Sequence, residues 1–284
     1  YARKEKVLVL QMGEGADELF CGYPIYGLEA KTSPYSSFLR AVPPARLAAK
    51  AALSTITVVK KKSFFEHAKD HLESMKKPSE FSRRGIIGFT ELEKKEILSE
   101  ELKSPTLDSY NLFRNISNEV GGTGKDAFLQ KVRIIELKNR LSELLLMRVD
   151  KFTMAASIEA REPFLDYKLA EHAFSIPPHS LHMKNGISKY ILKKAIGQKL
   201  PPEIVNRKKV GFGVPIAKHL AGSLKTYAKQ EIEAPEMKKF FSMPAAKKII
   251  AGHSKTWDNS FKIWVLLNFA LWHKHWIRKE KIRI

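Results

Sequence analysis

Leu8-Val9-Leu10-Gln11-Met12-Gly13-Glu14-Gly15-Ala16-Asp17-Glu18-Leu19-Phe20 joins an apolar run to an acidic helix start. The run carries no internal charge and predicts a buried strand. Gly13 and Gly15 predict a sharp turn at which bare N–H groups can approach a ligand. A helix start adds unpaired N–H donors and the positive end of a dipole. Glu14, Asp17 and Glu18 crowd the same turn, and carboxylates repel phosphate. A divalent cation bridging acid and phosphate removes the conflict, as does a ligand that also carries an ammonium group. The combination predicts a site for a nucleotide, Mg²⁺ and an amino acid together. Acids in a first turn are also favoured by the helix dipole alone, so the short Gly-Glu-Gly string has a purely structural reading as well.

The longer string is more specific. Gly13 to Tyr23, GEGADELFCGY, closely resembles the second signature of the asparagine synthetase family. Asp150 to Asp166, DKFTMAASIEAREPFLD, is similar to that family's D-x-x-S-M-A-x-S-x-E-x-R-x-P-F-L-D. Leu200 to Pro215, LPPEIVNRKKVGFGVP, is similar to its L-P-x-x-I-x-x-R-x-K-x-G-F-x-x-P. Order and spacing fit as well, and the resemblance covers nearly the whole chain, weakening between about Lys31 and Gly122.

The resemblance implies an α/β fold of the adenine-nucleotide alpha-hydrolase (ATP pyrophosphatase) type, with the visible portion predominantly helical. It reads residues 1–284 as one partial synthetase domain. Residues 1–30 are the last part of the nucleotide-binding sheet with the acidic motif, 31–122 a helical variable region, and 123–284 a helical part with the second and third motifs. The implied chemistry is adenylation of the aspartate side-chain carboxylate by ATP, then attack by glutamine-derived ammonia to give asparagine. Met12, Gly13 and Gly15 would present backbone to the nucleotide. Glu14 would sit beside the activated aspartate, where a carboxylate can hold an ammonium or accept a proton. Asp17 would hold Mg²⁺ on the phosphates. Lys209 would stabilise charge developing at the reacting centre, with Gly211-Phe212 in a tight loop folded onto the site. Glu18 either supports the site residues from behind or, the simpler reading, is a helix-start acid. Glu159, Arg161 and Asp166 orient the site or form a buried ion-pair network holding two helices together.

Several positions depart from the family pattern. Met12 replaces a usual Ser or Thr, Thr153 a serine, and Cys21 a common glycine. Cys21 reads as a buried small residue. The family's upstream Ser-Gly-Gly-x-Asp-Ser pyrophosphate loop and its glutaminase domain do not occur in these residues. The expectation is therefore a fragment, beginning at Tyr1 and inactive alone, whose missing parts lie in the same or another chain.

Fifty basic residues against thirty acidic ones give a net charge of +20, and 44% of the residues are hydrophobic. That balance permits a nucleic-acid partner, but no zinc-finger, RNA-binding aromatic or basic-zipper spacing accompanies it. A solvated basic surface is the simpler reading, and a basic nucleic-acid module remains the remote alternative. A paralogue amidating or cyclising another carboxylate is the nearer one. Glu14 favours amide synthesis, because the β-lactam branch resembles this motif with a tyrosine there. No apolar run approaches the ~20 residues that span a bilayer. A single cysteine and no secretory signal fit the cytoplasm.

Periodicity predicts helices over Arg46 to about Val59 and Phe64 to Met75, and a long helix or helix pair over Phe128 to Met154, apolar at Val132, Ile135, Leu141, Leu144, Leu145 and Val149. Thr90 and Glu93 predict a capping box. His67 and His71 share a face but lack a third ligand. Phe261, Trp264, Val265, Phe269, Trp272 and Trp276 have helical spacing and are read as core packing. Only one strand is predicted, with the rest of its sheet upstream.

Overall fold

Val9–Gln11 (β1) pairs in parallel with Glu159–Arg161 (β2), with Val9 opposite Glu159, Leu10 opposite Ala160 and Gln11 opposite Arg161. The computed structural model describes residues 1–23, 26–27, 88–104, 106, 108–122, 124–207, 214–254 and 258–282. The helices expected over Arg46 to Val59 and Phe64 to Met75, with His67 and His71, lie outside the described residues. Among the described residues the α-helices are α1 (Ala16–Leu19), α2 (Glu91–Ile97), α3 (Ser109–Asn118), α4 (Gly124–Ile135), α5 (Met147–Met154), α6 (Tyr167–Ser175), α7 (Tyr190–Ile196), α8 (Pro202–Val205), α9 (Ile216–Ala221), α10 (Lys225–Ile232), α11 (Met243–Ala251) and α12 (Ser260–Trp272). The described residues are predominantly helical, as expected.

Two compact units emerge. The first holds β1, β2, α1, α3 from Tyr110 onward, and α4 to α8. From Gly124 to Met154 its backbone is one continuous helical rod, with π-helical bonding at Glu136–Leu146 between α4 and α5. Leu129, Val132, Ile135 and Leu141 are buried along it. Burial then stops: Leu144 and Met147 are exposed although the apolar pattern continues. The short α1 is held by the apolar run at its end. Leu19 and Phe20 pack with Ala173, while Cys21 packs with Tyr26, Leu129 and Ile135. Each fully buried aliphatic side chain of this kind contributes about 2 kcal/mol.

The predicted strand forms, but it is not buried. Leu8 is 53% and Val9 38% exposed. A parallel strand is covered only when layers pack on both of its faces, and among the described residues β1 has one partner strand. That partner was missed in the sequence.

The second unit holds α2 and α9 to α12. Thr90 caps α2 with the predicted box: its Oγ1 accepts from Glu93 N–H at 3.2 Å, and the Thr90 N–H donates to Glu93 Oε2 at 3.1 Å. The core lies under α12, where Ile263, Leu266, Leu267 and Ala270 are buried. The aromatic stripe is therefore not the core. Phe261, Trp264, Val265, Trp272 and Trp276 are exposed. Only Phe269 turns inward, against Phe240 and Phe241 at 5.0 and 5.3 Å between ring centres. The helix is apolar on both sides, and the aliphatic side packs.

Candidate active site

The acidic motif begins where β1 ends. The Met12 N–H donates to the Arg161 carbonyl at 2.8 Å, extending the sheet by one bond. Gly13 is exposed, with nothing within 4 Å of the place a Cβ would take. Glu14 is half-buried. Gly15 is the N-cap of α1 with φ +88°, and a Cβ there would overlap the Leu165 side chain. The glycine is thus required twice, by its left-handed conformation and by the leucine laid over it.

Asp17, one turn along, forms an ion pair with Lys189, Oδ1 to Nζ at 2.8 Å. Gly22 lies against both: a Cβ on it would overlap Asp17 Oδ1 and Lys189 Cε. The Gly22 N–H donates back to the Asp17 carbonyl at 2.8 Å, after a turn in which Cys21 takes φ +55°. Among the described residues no three His, Cys, Asp or Glu side chains cluster as a metal-binding group. Asp17 would be one protein ligand among phosphate and water oxygens, a set that Mg²⁺ accepts.

Glu18 is not a solvated helix-start acid. It is 1% exposed and accepts a hydrogen bond from the Tyr23 hydroxyl at 2.7 Å. Burial pushes its carboxyl above the usual range, partly opposed by the Tyr23 bond. The Tyr23 ring lies under the Arg140 guanidinium, 4.6 Å from its centre. Burial also raises the Cys21 thiol to about 12, so it is a packing residue and not a nucleophile.

Beneath α1 the buried Arg133 takes the helix's orphan carbonyls. It donates through Nη2 to Leu19 O and to Ala173 O, the latter at 3.1 Å, and through Nε to Glu18 O at 3.4 Å. An arginine on the buried face of α4, beside Leu129, Val132 and Ile135, was the available sequence signal for this role. Lys189, a lone lysine ahead of a helix, gave none.

The second motif meets the first through β2 and the turn after it. Arg161 Nε donates to Glu159 Oε1 at 2.7 Å. The pair is exposed, on one face of a strand, so of the two readings the buried network between two helices is not formed by it. A strand sets residues two apart on the same side, and this one is uncovered. Asp166 is the N-cap of α6, its Oδ1 accepting from the N–H groups of Lys168 and Leu169 at 3.0 and 3.2 Å. Phe164 meets Phe20 edge-on at 6.3 Å, and Leu165 covers Gly15. Of the third motif, Pro202–Val205 is helical, while Lys209, Gly211 and Phe212 lie outside the described residues.

The family model described as "Asparagine synthase" matches residues 1–274. The glutamine-hydrolyzing asparagine synthetase 1 of Bacillus subtilis is 30% identical over 287 residues, covering 98% of this chain and 42% of that protein. A putative glutamine-hydrolyzing asparagine synthetase of Mycobacterium tuberculosis is 29% identical over 274 residues, covering 96% of this chain and 40% of its own length. The glutamine-hydrolyzing asparagine synthetase of Gallus gallus is 35% identical over 106 residues, covering 34% of this chain and 19% of that protein. The chain thus spans about two fifths of the length of the two bacterial relatives. No solved structure matches it significantly.

Proposed function

We propose, because the chain belongs to the asparagine synthase family, that it forms part of an ATP-dependent carbon–nitrogen ligase whose site lies at the end of β1 and the start of α1. In this reading Mg-ATP adenylates the side-chain carboxylate of aspartate with loss of pyrophosphate. Ammonia derived from glutamine then attacks the acyl carbon and expels AMP, giving asparagine. The fold would be that of the adenine-nucleotide alpha-hydrolases, to which a parallel strand pair followed by a Gly-rich turn is suited. A glutaminase domain and a Ser-Gly-Gly-x-Asp-Ser pyrophosphate loop would come from the same or another chain.

The observation that carries this reading is the meeting of two motifs far apart in sequence. Residues 13–23 and 150–166 converge through the β1–β2 register and through Leu165 over Gly15. The second motif thereby buttresses the turn that carries Glu14 and Asp17.

Each residue has a task there. The Met12 carbonyl and the backbone at Gly13 and Gly15 border the nucleotide. Glu14, half-buried beside the open Gly13, holds the substrate ammonium or takes a proton from the incoming amine. Asp17 is the Mg²⁺ ligand. Its carboxylate already faces a cation, the Lys189 ammonium, in room that a Cβ on Gly22 would fill, so donor and space suit a hard cation. When bound, the metal neutralises phosphate charge. Lys209 supplies positive charge for the negative charge that develops during acyl transfer.

Aspartate-dependent exchange of pyrophosphate into ATP, measured on the native full-length product, tests the reading. Exchange should require aspartate and fall at least ~100-fold in Glu14→Gln. Exchange driven by a different carboxylate would favour a paralogue, and no exchange with any carboxylate would refute the ligase reading.

A further inference from the structure

We propose that Lys189 is the resident counter-ion of Asp17 and competes with a divalent cation for its carboxylate, so that cation binding at the acidic motif requires Lys189 to leave. The proposal rests on the reading of Asp17 as a cation ligand.

The pair is built into the fold. Lys189 Nζ lies 2.8 Å from Asp17 Oδ1, with the two side chains only 22% and 19% exposed. Three backbone features converge on it. Gly22 supplies the room, because any Cβ there would overlap both partners. Cys21, at φ +55°, makes the turn that brings Gly22 back to Asp17. Lys189 itself sits at φ +54°, ψ +33° as the N-cap of α7. A non-glycine residue adopts the left-handed conformation at a cost, and such positions persist where surrounding structure holds them. A surface lysine that met an acid by chance would need none of the three.

The chemistry follows from charge. In a partly covered site an ammonium and a carboxylate interact more strongly than on an open surface. A divalent cation binding the same oxygen would meet the ammonium at close range, and like charges in that space repel. The cation therefore displaces Lys189, whose flexible four-carbon stem lets the head group swing away. A ligand carrying phosphate gives the displaced ammonium an anion to face. Cation affinity is then low in the free protein and rises when such a ligand is present.

Titration of the 284-residue chain with Mn²⁺ alone, reading free Mn²⁺ by electron paramagnetic resonance, tests this without any turnover. Lys189→Met keeps the stem and removes the charge, and Lys189→Gln serves as a second variant, each checked for native circular dichroism. Both should bind Mn²⁺ roughly tenfold more tightly than wild type, and Lys189→Arg should resemble wild type. Adding Asp17→Asn to Lys189→Met should abolish the gain. A site sensitive to Asp17→Asn whose affinity is unchanged or weakened in the Lys189 variants overturns the competition while leaving Asp17 as a ligand. Absence of any binding sensitive to Asp17→Asn overturns the cation reading of Asp17 and the competition with it.

Discussion

Leu165 fills the space in which a side chain on Gly15 would lie, so one leucine of the second motif closes over the N-cap of the acidic motif's helix. The two family signatures are thus parts of one packed structure. Gly15→Ala should combine the strain of a left-handed alanine with overpacking against Leu165, costing about 2–4 kcal/mol. Gly13→Ala, where the space is open, should be nearly neutral. Denaturant midpoints of the two variants check the contrast, and equal effects would refute it.

Much of this was legible in sequence, and the exceptions share a cause. The apolar run and Gly-x-Gly turn announce β1 and α1, and Thr90-x-x-Glu93 announces its capping box, because those signals are local. The partner of β1 was not legible. β2 is only Glu159-Ala160-Arg161, with no alternation or β-branched residue to mark it, and its register is fixed by a pairing across the chain. Glu18 reads like its acidic neighbours until the fold buries it under Tyr23. In α12 both faces are apolar, and periodicity cannot say which packs. Aliphatic Ile263, Leu266 and Leu267 do, leaving Trp264 and Trp272 outside.

Arg133→Met should be among the most damaging changes in the first unit. It leaves the Leu19 carbonyl buried without the Arg133 donor, while the Ala173 carbonyl keeps only its bond from His182 Nε2. Loss of a buried charged donor costs about 3 kcal/mol. Arg133→Lys should recover only part, since one ammonium cannot span the planar fork's acceptors. Thermal unfolding ranks the three proteins, and a lysine variant as stable as wild type would contradict the bridging role.

His182 gives the first unit an acid-sensitive term. It is fully buried, donates through Nε2 to Ala173 O at 3.0 Å, and is held down at about 4 by burial and the nearby Arg133 charge. Its ordinary value is near 6.5, so the unfolded chain binds the extra proton first. Stability from this group is complete above pH 6.5, declines as pH falls towards 4, and is level below that. The full span is up to about 3 kcal/mol. Glu18, whose carboxyl is raised by burial, acts in the opposite sense, losing stability as pH rises above the usual carboxylate range. The His182 term is isolated by subtracting the profile of His182→Gln from that of wild type. The difference should shrink between pH 6.5 and 4, and a flat difference would show that His182 takes up no proton on unfolding.

Glu159 and Arg161 separate a structural from a functional role at the site's edge. Their pair is exposed on β2, directly opposite Val9 and Gln11. The Arg161 hydrogen bond holds the Glu159 carboxyl below its usual range, but exposed pairs of this kind add little to folding. Glu159→Gln and Arg161→Met should therefore leave the melting temperature unchanged. The Arg161 carbonyl, which holds the Met12 N–H, is untouched by either substitution, so the strand end itself should persist. A fall in pyrophosphate exchange by the full-length variants, at unchanged melting temperature, would assign the pair to positioning at the site. A marked loss of stability would instead show that the pair is covered in the native protein, contrary to its exposure on β2.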